Sequence, residues 1–347
     1  MPKESPSTAR AKPLDLARIV SAAAFRALRR VFARLFGRTR HRAWGLRFDC
    51  TIAATRGAWS MMRRLGLPRW RAASEAMSPR NTDGLEPRSA DLEDLEAVWL
   101  EPPDAEAGTL LYLHGGGYVF GSLRSHGRLI GGLARAIGCR ALALDYRLAP
   151  ENTYPAALED SLSAYRQLLA SGARPEQTVL AGDSAGGNLV LATLLALRDA
   201  GDPLPSAAVL LSPWVDLSNS GKSFEEHAGF DYVGRDHCDL AASLYLAGQD
   251  PRTPEASPLY ADLSGLPPLL IHAGALETLR DQIRDFASAA KTAGTEVEYV
   301  EEPDMVHVWH LFRGLTPKAT KSIAEIGEFV RERWSRAQAA SRPDGGR

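Results

Sequence analysis

From about residue 105 onward, short apolar runs alternate with stretches whose apolar positions recur every three or four residues. The runs "TLLYL" (109–113), "RALALDY" (140–146), "TVLAG" (178–182), "AAVLL" (207–211), "PLLIHAG" (268–274) and "EVEYV" (296–300) read as strands. Their near-continuous hydrophobicity predicts a parallel sheet covered on both faces, since a half-solvated strand would alternate apolar with polar. Helices are expected between them, near 126–137, 156–171, 185–200 and 279–293. The last of these carries Leu279, Ile283, Phe286 and Ala290 at helical spacing. A further helix near 318–336 places Ile323, Ile326, Val330 and Trp334 on one face. The alternation predicts an α/β fold with a mostly parallel, doubly wound sheet.

One segment breaks the alternation. From Pro213 to about Ala261 a long polar excursion containing the helix-like "HCDLAASLYLAG" leaves one strand before the next begins. Its length predicts part of a lid. Residues 78–104 form a polar, proline-bearing stretch, and the tail "SRPDGGR" (341–347) is expected to be disordered. At the other end, "ARIVSAAAFRALRRVFARLFGR" (17–38) sets Leu28, Val31, Phe32 and Leu35 on one helical face and Arg26, Arg29, Arg30 and Arg34 on another. The expected arrangement is a helix packed on the protein body with its arginines in solvent. The competing expectation is peripheral contact with a membrane surface.

The length of 347 residues suits one large α/β domain with an insertion. A net charge of -1 gives no basic field for nucleic acid, although residues 1–47 hold twelve Lys or Arg against only Glu4 and Asp15. Cys50, Cys139 and Cys238 are odd in number, with no CxxC or metal spacing, which predicts free thiols and a cytoplasmic protein. No uninterrupted apolar run has the length of a membrane span, and no apolar stretch near the start fits a secretory signal.

Chemistry enters at "TVLAGDSAGGNL", which runs strand, Gly-Asp-Ser-Ala-Gly, helix. A G-x-S-x-G turn in that context forces Ser184 into a strained conformation at the sheet's C-terminal edge, with Gly182 and Gly186 where a side chain would collide. Upstream, "LYLHGGGYVFGS" follows the strand 109–113. The glycines 115–117 after His114 let a loop aim its N–H groups at one point, as an oxyanion hole requires. The expected donors are Gly116, Gly117 and Ala185.

A serine nucleophile needs a base. His307, in "PDMVHVWHLF" after the final strand, stands where the chain order Ser, acid, His places it, with His310 as its rival. For the acid, "AGALETLRDQ" offers Glu277 in the loop leaving strand 268–274. It also offers Asp281, one turn on, whose alternative role is a charge at the helix N-terminus.

"HGGGYVFGS", "DYRLAPENTYPAALED", "GDSAGGNL", "LLSPWVDLS", "SPLYADLSGLPPLLIHAG" and "HVWHLF", in that order over roughly 105–335, resemble the hormone-sensitive-lipase family of bacterial serine esterases, of α/β-hydrolase fold. The resemblance implies a carboxylesterase without metal or organic cofactor, acting on short- to medium-chain acyl esters through Ser184, His307 and Glu277. Where many members carry Asp-Pro-Leu, this chain has Glu277-Thr278-Leu279. The resemblance further implies a helical cap from residues 1–75 and 213–261 over a catalytic domain of 76–212 and 262–340. Within it, Asp183 braces the turn, and Tyr118 and Trp214 are candidates for the acyl pocket. Amide cleavage, acyl transfer and a membrane-docked lipase are the alternatives that keep the same triad. A non-catalytic receptor is disfavoured by the presence of both Ser184 and His307. The expected partner is a small ester, and a homodimer is one compatible assembly.

Overall fold

The apolar runs assemble into one eight-stranded sheet. In a computed structural model, which describes residues 12–78, 80–105 and 108–340, its order is β1-β2-β4-β3-β5-β6-β7-β8. The strands are β1 (Arg88–Ser89), β2 (Glu96–Leu100), β3 (Thr109–Leu113), β4 (Arg140–Asp145), β5 (Thr178–Asp183), β6 (Ala207–Leu211), β7 (Leu269–Gly274) and β8 (Val297–Glu302). From β4 to β8 every neighbour is parallel, whereas β2 runs antiparallel to both β1 and β4.

Strand alternation divides the core into two layers. Leu111 and Leu113 of β3 pack with Leu189, Val190 and Leu194 on one face of the sheet. Leu110 and Tyr112 pack on the other face with Leu129, Ile130 and Leu133, and with Ile323, Ile326 and Val330. The helices supplying these side chains are α5 (Leu123–Ile137), α7 (Ala185–Ala200) and α11 (Pro317–Ala340); α6 (Ala156–Ala170) and α10 (Arg280–Thr292) complete the framework. All residues of β3, β5, β6 and β7 are buried, each large aliphatic side chain contributing about 1.5–3 kcal/mol. That explains why these strands were legible as unbroken apolar runs.

The pair β1 and β2 lies inside the stretch that reads as polar. β2 is half-buried near the sheet edge, and its Trp99 ring lies under the Arg140 guanidinium, 4.5 Å away. A strand solvated on one side leaves no continuous apolar run, and "EAVWL" is too short for its alternation to stand out.

Before the sheet come α1 (Pro13–Leu35), α2 (Leu46–Trp59), α3 (Met62–Leu65) and α4 (Leu67–Met77). The excursion after β6 contains α8 (Ser223–Glu226) and α9 (Arg235–Leu246). The expected disorder of 341–347 concerns residues outside those described.

The helix α1 packs on the protein body as expected, but its arginines divide: Arg26 and Arg29 are exposed, while Arg30 and Arg34 turn inward. Its inward face presents Ala22 and Ala23 to Gly57 of α2, where an added Cβ would lie 2.5 Å from the Ala22 carbonyl oxygen. The same inward face carries Arg30 and Arg34 to the fully buried Asp49, at 2.9 and 3.3 Å. Leu28, Phe32 and Leu35 remain outside, 64–76% exposed. Small residues allow close helix approach and a buried carboxylate must find cations, so two arginines point inward and the large apolar stripe faces solvent.

Candidate active site

The sheet has a topological switch between β3 and β5. From β3 the chain crosses through α5 to β4 on one side, then through α6 to β5 on the other. Diverging connections open a crevice at the C-terminal ends of those strands, where open α/β sheets bind ligands. The loops after β3 and β5 enter this crevice with Gly116, Gly117 and Ser184, and the loop after β8 adds His307; all four line one cavity of about 420 Å³. That volume is in the range of small-molecule sites.

Ser184 sits at φ 54°, ψ -119°, between the end of β5 and the start of α7. A non-glycine residue there costs about 1–3 kcal/mol and persists only where its surroundings fix it. Its N–H donates to the Leu211 carbonyl at 2.9 Å, and its own carbonyl accepts from Trp214 N at 3.0 Å and Asn188 N at 3.1 Å. The turn is tight because Gly186 lies against β3: a Cβ on it would come within 2.0 Å of the Leu113 carbonyl oxygen. Ala185 opens α7, so its N–H lies among those at a helix start that have no partner four residues back.

The glycine loop after β3 divides its N–H groups between two tasks. Gly115 donates to Asp183 Oδ1 at 3.0 Å. Gly116 and Gly117, at φ 124° and 61°, donate to no acceptor among the described residues and border the cavity beside Ser184. Asp183 also accepts from the Tyr112 hydroxyl at 2.7 Å and stands 3.3 Å from His126 Nε2. Burial favours the neutral acid, but the His126 charge and these hydrogen bonds prevail and hold Asp183 down at about 2. It therefore ties the glycine loop to the serine turn, in the bracing role expected of it.

Glu277 meets His307 at the cavity that Ser184 also borders. A Cβ on Gly274 would stand 2.6 Å from the Met305 carbonyl oxygen, so glycine lets the loops after β7 and β8 close on each other. Glu277 is completely buried; its Oε1 accepts from Gly274 N at 3.1 Å, and its Oε2 lies 3.1 Å from His307 Nδ1. Burial pushes the Glu277 carboxyl above its usual range against the pull of His307. Burial alone would lower His307, but the bond to Glu277 and the charges of Glu277, Asp231 and Asp183 hold it above its ordinary value.

The rivals lie elsewhere. Asp281 occupies the first turn of α10, accepts from Ser223 N at 2.9 Å and pairs with Arg280 at 2.8 Å. His310 is fully buried with its Nε2 3.0 Å from His272 Nδ1, and it does not border the cavity. Of the two acyl-pocket candidates, Trp214 lines the cavity and Tyr118 does not. The Tyr118 hydroxyl donates to Asn188 at 2.6 Å and its ring stacks on Tyr245 at 3.7 Å, so hydrogen bonding and stacking turn it into the core.

Two buried groups were missed from sequence. Asp231, within the 213–261 excursion, accepts from His307 N at 3.2 Å through Oδ1 and from Thr278 N at 2.8 Å through Oδ2. It thus links both loops that carry the Glu277–His307 pair, and nothing in its local sequence marks it. His126 borders the cavity one turn into α5, where the Ser122 cap fixes the helix start; the spacing to Asp183 gives no signal of their pairing. The remaining walls include Thr55 and Trp59 of α2, Tyr232 and Val233 before α9, and Ala241 within it. Among the described residues, no group of three or more His, Cys, Asp or Glu is placed to hold a metal ion.

A family model described as the alpha/beta hydrolase fold matches residues 110–311. An acetyl-hydrolase of Streptomyces hygroscopicus is 48% identical over 237 residues, covering 68% of this chain and 79% of that protein. A crystal structure of an esterase from the bacterial hormone-sensitive lipase family is 40% identical with a TM-score of 0.73, covering 93% of this chain and 99% of that one. The crystal structure of the protein EstE5 soaked with p-nitrophenyl butyrate is also 40% identical, with a TM-score of 0.76, covering 78% and 92%.

Proposed function

The chain belongs to the α/β-hydrolase family, among the esterases related to hormone-sensitive lipase, and from that membership we propose that it hydrolyses short- to medium-chain acyl esters through an acyl-enzyme on Ser184. The observation that carries this reading is the 3.1 Å contact between His307 Nδ1 and Glu277 Oε2, with His307 bordering the cavity that Ser184 also borders. With Nδ1–H directed at the carboxylate, Nε2 is left with its lone pair and serves as the base.

In the first half-reaction His307 Nε2 takes the Ser184 proton as Oγ bonds to the ester carbonyl carbon. The carbonyl oxygen becomes an anion held by the N–H groups of Gly116, Gly117 and Ala185. When this intermediate collapses, the C–O bond to the alcohol breaks and His307 returns the proton to the leaving oxygen. Water, deprotonated by His307, then attacks the acyl-enzyme, and the carboxylic acid departs as Ser184 recovers its proton. Trp59, Val233 and Trp214 supply apolar wall for the acyl chain. The three free cysteines fit a reducing compartment such as the cytoplasm.

The test is a panel of p-nitrophenyl esters from acetate to palmitate. Catalytic efficiency should peak among the shorter chains, whose acyl groups fit wholly within the cavity of about 420 Å³ that Ser184 borders. Ser184→Ala should lower kcat by about 10⁴- to 10⁶-fold, and an organophosphate should label Ser184 alone. Wild-type turnover in Ser184→Ala would refute the assignment, and a peak at palmitate would refute the chain-length reading.

A further inference from the structure

The outer face of α1 is apolar from Phe25 to its C-terminal end, with Leu14 exposed nearer its start. Leu14, Phe25, Leu28, Phe32, Leu35 and Phe36 are 59–76% exposed, and at 100° per residue the first five fall within one sector pointing away from α2. A stripe this long is more than the scattered exposed apolar residue that any protein tolerates. Apart from Met1, neither 1–11 nor 341–347 contains a large apolar side chain.

Beside the stripe runs a groove of about 960 Å³, lined by Arg18, Arg26, Arg29, Arg30, Arg40 and Arg64, with no acidic side chain among its lining residues. Asp49 pairs with Arg30 at 2.9 Å and with Arg40 at 3.9 Å, but Arg26, Arg29 and Arg64 make no ion pair among the described residues. Burial, and after it the charge of Arg56, holds the Arg40 guanidinium down to about 10. Phe25 borders this groove and also the apolar hollow formed by Leu28, Phe32 and Leu35, so the basic and apolar surfaces share an edge.

We propose that α1 docks this protein on an anionic lipid bilayer, its apolar stripe entering the acyl boundary and the arginine groove receiving lipid phosphates. A partly apolar, strongly cationic helix face lying flat matches the chemistry of an anionic interface. A second copy of this chain would bring the same uncompensated arginines against one another, which charge complementarity disfavours. No described helix is long and apolar enough to cross a membrane, so the contact is peripheral. Because α1 lies on α2, whose Thr55 and Trp59 line the catalytic cavity, docking would bring the wall of that cavity close to the lipid.

Co-sedimentation with phosphatidylcholine vesicles, with and without phosphatidylglycerol, tests this on the full chain. The protein should bind the anionic vesicles and be released by 0.5 M salt, a concentration chosen to shorten the screening length to roughly 4–5 Å. Arg18→Gln and Arg29→Gln should each weaken binding about fivefold. The triple variant Leu28→Ser, Phe32→Ser, Leu35→Ser should lose binding by more than about tenfold while keeping its melting temperature and its hydrolysis of a soluble ester, because these side chains are already in water. Ser184→Ala should bind as wild type does, which separates this proposal from the catalytic one. Equal binding to neutral vesicles, or none to anionic ones, would overturn it. So would light scattering that shows a dimer dissolved by the same triple substitution, since a second copy would then be the occupant.

Discussion

Glutamine at position 277 is nearly isosteric with glutamate, yet it should be close to inactive. The carboxylate faces three donors: Gly274 N–H, His307 Nδ1–H and the Ser212 hydroxyl. An amide offers one oxygen and one NH₂, so its NH₂ must face at least one of them. Gly274 N–H cannot accept, so the amide oxygen stays at the Oε1 position on Gly274 and the NH₂ takes the Oε2 position facing His307. His307 Nδ1 is the receptive atom, and it can accept only if its proton moves to Nε2. That tautomer has no lone pair for the serine proton. The analogous change in a serine protease lowers kcat by about 10⁴, equivalent to about 5.5 kcal/mol in the barrier, and a loss of about 10³–10⁴ is expected here. Stability should not fall, because Glu277→Gln removes an ionisable group whose burial opposes its charge. The assay is kcat on p-nitrophenyl butyrate with active-site titration, alongside thermal melting. The pH profile gives a second readout. Wild-type His307 is held above its ordinary value, so activity should be lost as pH falls through that raised value. Removing the Glu277 charge lowers His307, and the acid limb of the residual activity should move to lower pH. A Glu277→Gln enzyme within tenfold of wild type, or an unmoved limb beside an inactive Asp281→Asn, would refute the reasoning.

Two further substitutions separate chemistry from architecture. His310→Ala leaves a void beside His272 and should cost about 2–4 kcal/mol of stability, with kcat below the melting transition within about threefold of wild type; His307→Ala should do the opposite, and the reverse pattern in melting and kinetics would exchange their roles. Gly186→Ala sets a methyl against the Leu113 carbonyl oxygen and should cost about 4 kcal/mol or more or prevent folding, so a variant with wild-type melting and turnover would show that the serine turn is looser than its geometry indicates.

Local sequence alone determined whatever obeys short-range rules. Strands buried on both faces are unbroken apolar runs, and five of the main helices repeat with their own period. Gly182, Gly186 and Gly115–Gly117 mark the serine turn and its facing loop, because close backbone approach and positive φ exclude side chains wherever the rest of the chain lies. The separate loops offering Glu277 and His307 were legible instead from the strand pattern and the chain order Ser, acid, His. Only tertiary packing decided that Asp231 joins those two loops and that His126 meets Asp183 across 57 positions of sequence, since such pairings leave no local mark. It also turned Tyr118 into the core, where Asn188 takes its hydroxyl. The orientation of α1 was decided in the same way: periodicity separates an apolar from a basic face, but which one turns inward depends on Asp49 and Gly57 in the neighbouring helix. A buried carboxylate demands cations and a glycine admits close contact, and those two requirements outweighed the burial of leucine and phenylalanine.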